Sequence, residues 1–516
     1  MSSIRGVGSP TDTSAPQTTE QPTAAEGTQG ASQTSSTQSA TGGPPAAAPS
    51  QTPTPPPPVS AQQAGVQRAE AQLGGTARQA ELQSGAIARR QVTEQDVLNG
   101  ARHAGLNQNE VQQLQTRLNG MNSQERRQEL RFLNNNVLNT PNADRALRTY
   151  VELNNMAHQP AGANHQPPFP SRLTADNIHT LTRGVAEART NTSQGTEGIL
   201  GQQQAVNAAS AMTHMPQAEY NRLQGALQNA GMTNGRQVRG SDPQAERALI
   251  LKAVAARRDE LSNPGLMDRL RNFAGQPGHP MRDILNYAGD IHGMRRNELI
   301  DQSSVLDLRV DGRNNALQQR FTDSCVPTSS QMIRAEADPI YARQLHREAI
   351  HTLNSQNSPV ANQQGQWLTR EGGAIDPRTN PQGIGVGLGL TGWQNILNND
   401  VGRYTNQTYA PQSIANTPQG RGAAMDDIAA RVSRGEDVPF RAQWRNAAGQ
   451  PAGGHALIIS DVRGQGNNQR FLVTDPWDGR TSWITRQAFV NGNTTLIQGP
   501  PPSRGEISHY FPGTPQ

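Results

Sequence analysis

Cys325 is the only cysteine in a chain of 516 residues, and it sits in the stretch FTDSCVPTSSQMIRAEADP, residues 321–339. A lone cysteine has no partner for an internal disulfide, so it is not a structural staple. It stands just before a helix-like run, with Ser324 and Thr328 as capping candidates and Pro327 suited to a first helical turn. A thiol at a helix N-terminus feels the positive end of the dipole and free backbone N–H groups, which favour the thiolate. Taken alone, the stretch reads more readily as a small buried hydrophobe. Residues downstream reverse that reading.

A cysteine nucleophile needs a base to take its proton, a group to orient the base, and donors for the oxyanion. His455 opens the apolar run HALIISDV after two glycines, and Asp475 closes FLVTD before Pro476. A hairpin centred on Gln465, with its turn inside Arg463–Asn468, makes these two residues direct cross-strand neighbours. Their Cβ atoms are then expected about 4.5–5.5 Å apart on one face. A carboxylate there accepts the imidazole N–H, fixes its tautomer and favours a thiolate–imidazolium pair. Singly, Asp475-Pro476 is an ordinary strand-ending turn and His455 a strand cap. Cysteine, histidine and aspartate in this order, each at an element end, point to catalysis. Gln319 lies six residues before the cysteine, where its amide beside the Cys325 N–H gives two donors for an oxyanion; Gln318 is its neighbour.

The segments QRFTDSCVPTSS, PFRAQW, GGHALIISDV and FLVTDPWDG together resemble papain-like cysteine peptidases. Within that superfamily they are most similar to the C39-like bacterial peptidases that clip leader peptides from bacteriocins. The resemblance spans roughly residues 315–510. It implies a papain-like fold and thiol-dependent hydrolysis of amide bonds in a protein or peptide substrate, with no metal or organic cofactor. It also implies the roles: Cys325 as nucleophile, His455 as base, Asp475 as its orienter and Gln319 as oxyanion donor. Val326 replaces the glycine usual after the cysteine, and the long insert between Cys325 and Val438 has no recognisable groove sequence. No transporter domain accompanies these motifs, so dedicated leader clipping is not expected. The same triad serves a glutamine deamidase or an acyltransferase, and a non-catalytic scaffold or binding protein could keep such a domain.

The elements that must position these residues read as α+β: a cysteine-bearing helix packed on an antiparallel sheet, preceded by an all-α region and a disordered tail. The helix is expected from near Ser324 to about Leu353. A second, at about 422–434, leads into VPFRAQW, where Val438, Phe440, Ala442 and Trp444 alternate as a strand. HALIISDV and QRFLVTD are two further strands, and WITRQAF (483–489) a strand and helix start. The glycine-rich GIGVGLGLTGW (383–393) lacks a following Lys-Ser/Thr pair, so it does not read as a phosphate loop.

The rest of the chain divides by composition. Residues 1–65 are Ser, Thr, Pro, Gly, Gln and Ala, too poor in large apolar side chains to offset chain entropy, and read as a disordered leader. Such a leader resembles, in composition, the export signals of proteins passed through type III secretion machines. Three-four apolar spacing marks helical regions at 66–160 and 173–300, separated by a proline-rich linker at 161–172, with the peptidase-like domain at 301–516. The helical regions suit partner recognition or scaffolding. Their histidines (His103, His158, His165, His179, His214, His279, His292) have no metal-ligand spacing and read as solvated surface. All five tryptophans lie in the last third, although only 4% of the chain is aromatic, which places the best-packed core there.

A net charge of +4 without a basic block does not suggest nucleic-acid binding. Lys252 is the only lysine. Genomic base composition explains this, the alternative being selection against ubiquitin acceptors in a protein acting inside a eukaryotic cell. No run of about 18 apolar residues is present, so no membrane span is expected. The N-terminus lacks the apolar segment of a Sec signal peptide. The expected location is the bacterial cytoplasm, or outside it by a route that needs no such signal.

Overall fold

The computed structural model describes residues 92–158, 170–188, 198–257, 279–306, 308–310, 313–315, 317–347, 358–375, 387–445, 451–493 and 506–515. All of them belong to the compact unit Arg90–Gln516. The expected leader, most of the expected linker and the early part of the first helical region lie outside the described residues.

Ten helices build the N-terminal half of this unit among the described residues: α1 (Glu94–His103), α2 (Gln108–Asn119), α3 (Ser123–Leu133), α4 (Ala143–Ala157), α5 (Ala175–Ala186), α6 (Gln202–His214), α7 (Gln217–Asn229), α8 (Pro243–Ala255), α9 (Met281–Ile291) and α10 (Arg296–Gln302). The polar breaks between the first three also start them. Thr93, Asn107 and Asn122 each accept the N–H three residues on, while Asp96, Glu110 and Glu125 reach back to the cap N–H. Each such box satisfies two orphan donors at a helix start. Apolar stripes from both helical stretches merge into one core running from Val97 to Leu299. Leu114, Leu147, Leu181, Met212, Leu249 and Ile284 are all fully buried within it.

Three of the histidines expected on the surface instead meet carboxylates. His179 pairs with Glu129 at 2.8 Å, His279 with Asp338 at 2.7 Å and His292 with Glu246 at 3.1 Å. Each of these carboxylates is buried, and a buried carboxylate without a hydrogen-bonding partner is costly. Spacing in the sequence does not show pairs that form between distant helices.

The second half is mixed helix and antiparallel sheet, an α+β arrangement. Six strands are β1 (Gln412–Ser413), β2 (Val438–Arg445), β3 (Pro451–Arg463), β4 (Arg470–Asp475), β5 (Arg480–Thr485) and β6 (Glu506–Tyr510). They are ordered β5-β4-β3-β2-β6-β1, every neighbouring pair antiparallel. Strand β6 thus inserts beside β2, a long-range pairing with no local sequence signal. Helices α11 (Cys325–Ala337), α12 (Pro339–Arg347), α13 (Pro359–Arg370), α14 (Leu390–Ile396), α15 (Pro418–Ser433) and α16 (Arg486–Val490) belong to the same half.

Strand β3 is covered on both faces. Ala456 and Ile458 join the core that includes Val326, Met332 and Ile333 of α11. Leu457 and Ile459 join the one formed with Met425 and Ile428 of α15 and Phe489 of α16. A strand buried on both faces reads as an unbroken apolar run rather than an alternation, which is the character of ALII. Phe489 anchors the second core, meeting Phe440 and Phe471 edge-on at 6.0 and 5.8 Å.

The helix expected from Ser324 to Leu353 is two helices. Asp338 between them is extended (φ −122°, ψ 95°) because the following Pro339 disfavours the helical region for its predecessor. The Asp338 carboxylate then accepts the N–H groups of Ile340 and Tyr341, starting α12. Leu353 lies outside the described residues. No helix among the described residues is long and apolar enough to cross a membrane.

Candidate active site

Cys325 is the first residue of α11, and the thiol is half-buried. Amides at the first helical positions have no intrahelical acceptor, so the Cys325 and Val326 N–H groups are donors for a nearby anion by position alone. Ser324 holds the N-cap place without capping through its side chain. Its hydroxyl instead closes the preceding turn, accepting the Phe321 N–H at 3.2 Å and donating to the Phe321 carbonyl at 3.0 Å. Thr328 donates back to the Ser324 carbonyl at 2.7 Å. Both expected caps therefore stiffen the turn on either side of the sulfur.

His455 is buried on β3, and its Nε2 lies 2.6 Å from Asp475 Oδ1. The same oxygen accepts the Trp477 N–H at 2.8 Å, which fixes the carboxylate at the end of β4. The Cys325 side chain is close enough to the imidazole to act on its proton affinity. Three side chains distant in sequence thus meet as sulfur, imidazole and carboxylate.

Burial alone would push the His455 pKa down. The hydrogen bond to Asp475, that to Cys325 and the negative charge each carries overcome it, and the value rises to about 10. The ring is therefore held towards its charged form at neutral pH.

The route by which His455 and Asp475 meet differs from the expected one. The ladder pairs Arg463 with Arg470, Val462 with Phe471 and Asp461 with Leu472, skips Ser460, then pairs Ile459 with Val473 and Ile458 with Thr474. Extended past its last pair, this register sets His455 across from Trp477, not Asp475. The pair is diagonal, two residues apart on one face, which still lies within reach of long side chains. The turn is centred further along than expected because Gly464 and Gly466 take left-handed backbone (φ 80° and 55°) around a short 3₁₀ turn, Gly466–Asn468.

The skipped residue matters. Side chains alternate faces along a strand, so one extra residue in β3 exchanges the faces of everything beyond it. Without the bulge at Ser460, His455 would fall on the face opposite Asp475.

The loop carrying Gln319 docks on the turn that carries Asp475. The Gln319 N–H donates to the Pro476 carbonyl and the Gln318 amide to the Asp478 carbonyl, both at 2.8 Å. The Gln319 side-chain amide gives its N–H groups to the carbonyls of Phe321 and Thr322, at 2.9 and 2.6 Å. Here it braces the loop before the cysteine. Donating to an oxyanion requires one of those bonds to be exchanged.

Two contributors carry no signal in the sequence. Gln364 of α13, fully buried, accepts the Arg320 N–H at 2.8 Å, and its oxygen lies 3.2 Å from the Ser324 hydroxyl as an alternative acceptor, fastening the loop before Cys325. Ser329 donates to the Ala456 carbonyl at 3.2 Å, tying α11 to β3 one residue past the histidine.

No protein-family model matches this chain, and no curated protein matches it in sequence. Function therefore rests on the geometry of the site. Among the described residues, no group of three or more His, Cys, Asp or Glu side chains is placed to hold a metal ion.

Proposed function

We propose that the protein is a thiol-dependent amide hydrolase, a cysteine peptidase of papain-like type in which Cys325, His455 and Asp475 act as a triad. The observation that carries this reading is the 2.6 Å contact between His455 and Asp475, on an imidazole whose proton affinity the only cysteine also raises. A cysteine-bearing helix start against an antiparallel sheet that holds the histidine supports it further, since this is the arrangement implied by the resemblance to papain-like peptidases.

The sulfur attacks an amide carbonyl, forming a C–S bond and a tetrahedral oxyanion held by the Cys325 N–H and the Gln319 amide. The C–N bond then breaks, and the amine leaves with the proton from His455. His455, now neutral, takes a proton from water, whose oxygen attacks the thioester. The C–S bond breaks, releasing the carboxylic acid and returning the sulfur as thiolate beside the protonated His455. Asp475 holds the ring in the orientation both steps need and stabilises its charged form.

Labelling by an acyl-electrophile probe, with wild type beside Cys325→Ala and His455→Ala, tests the reading. Labelling of wild type alone is the expected result. Equal labelling of wild type and His455→Ala would defeat it and leave a non-catalytic scaffold. Mass spectrometry of proteins incubated with the enzyme then separates chain cleavage, which makes new termini, from deamidation, which adds about one dalton without cleavage.

A further inference from the structure

The helical half reaches the strand that carries His455. Arg145 of α4 places Nη2 3.2 Å from Asp461 Oδ1, and the two side chains are only 10% and 0% exposed. Asp461 is the residue at which the β3–β4 register resumes after the skipped Ser460. Its Oδ1 also accepts the Val462 N–H at 2.8 Å, so one carboxylate oxygen serves both the bulge backbone and the guanidinium.

We infer that the Arg145–Asp461 pair is a positioning device for the proposed reaction: the helical half clamps the bulge that sets His455 on the same face as Asp475. This rests on the hydrolase reading above. A bulge has a ladder alternative, the unbulged strand, in which His455 faces away from Asp475. The ion pair offsets part of the cost of burying this carboxylate, so the position of Arg145 favours the placement of Asp461, and with it the bulge, that meets the guanidinium. The helical half is tied to the second half elsewhere too. The Gln204 amide donates to the Glu336 carbonyl at 3.0 Å, and the backbones of Gly201 and Gly435 cross in close contact. Those ties hold α6 against the end of α11 and the loop before β2. Arg145 is the tie that meets β3 at its irregular point.

The test uses the full chain and the rate of Cys325 alkylation by iodoacetamide, read at pH 6 and pH 9.5, with thermal melting as the check on folding. At pH 6 an ordinary thiol is almost wholly protonated, and fast alkylation requires the imidazolium partner; at pH 9.5 an ordinary thiol ionises unaided. Arg145→Gln with Asp461→Asn removes both charges of the pair at nearly constant volume, so neither is left facing a neutral partner. The expected result is a loss of at least about tenfold at pH 6, with rates at pH 9.5 within about twofold of wild type. Exchange of the two residues (Arg145→Asp with Asp461→Arg) is expected to restore part of the loss. A folded double variant that alkylates like wild type at pH 6 overturns the inference while leaving the triad intact. A double variant that does not fold overturns it as well, since the pair would then be a general staple. If wild type and His455→Ala alkylate alike at pH 6, the hydrolase reading itself fails and takes this inference with it.

Discussion

His455 and Asp475 touch at 2.6 Å although neither stands opposite the other in the hairpin that joins their strands. The contact is diagonal, and the bulge at Ser460 makes it available. Removing the carboxylate should therefore leave the ring without orientation rather than remove the nucleophile. Asp475→Asn is expected to lower kcat by about 10²-fold, against at least about 10³-fold for Cys325→Ala or His455→Ala. Steady-state kinetics on any cleaved substrate checks the ranking. An Asp475→Asn enzyme as active as wild type would remove Asp475 from the triad.

Stability should depend on pH through His455. Its pKa is raised on folding from the ordinary value to about 10. The folded state therefore binds the proton more tightly than the unfolded chain does. The contribution is fully present below about pH 6.5 and fades as pH rises towards 10. The gap in Tm between wild type and His455→Gln is expected to be largest near pH 6 and to narrow by pH 10. A gap that widens with pH would contradict the sign of the shift.

Gln319 gives a separate test of the oxyanion role. Its amide faces two carbonyls within its own loop. If it turns to the oxyanion during turnover, Gln319→Ala should cut kcat by about 10²-fold with KM little changed. Unchanged kcat with a lowered Tm would confine the residue to bracing the loop.

Gly435 is expected to accept no side chain. Its φ is +81°, and an added Cβ would lie 2.6 Å from the Gly201 Cα. The conformation alone costs a residue with a side chain about 1–3 kcal/mol, and the clash is with backbone that cannot rotate away. Gly435→Ala should lower stability by more than about 2 kcal/mol in chemical denaturation. An unchanged midpoint would show that the two halves separate readily at this crossing.

The aromatic cluster behind the sheet sets the scale for the fold as a whole. Phe489 is fully buried between Phe440 and Phe471. Phe489→Ala is expected to cost about 3–5 kcal/mol, measured by denaturant titration. A cost below about 1 kcal/mol would mean that this core is loosely packed.

The sequence by itself determined the candidate groups of the proposed site and most of the elements that hold them. A single cysteine before a helix, Gly-Gly-His before an apolar run and Asp-Pro after another are local patterns, and local patterns carry helix starts, strand ends and turns. Val438, Phe440 and Ala442 alternate in the sequence and are buried on one face of β2. What the tertiary structure decided is everything that depends on counting across a gap. One residue, Ser460, changes which face of β3 meets Asp475, and no composition or spacing marks it as a bulge. Pairing of β6 with β2, the hold of Gln364 on the loop before Cys325, and the reach of Arg145 to Asp461 across 316 positions are contacts between segments far apart in the chain. Such contacts are selected by packing and by the satisfaction of buried polar groups, terms that exist only once the chain has closed on itself.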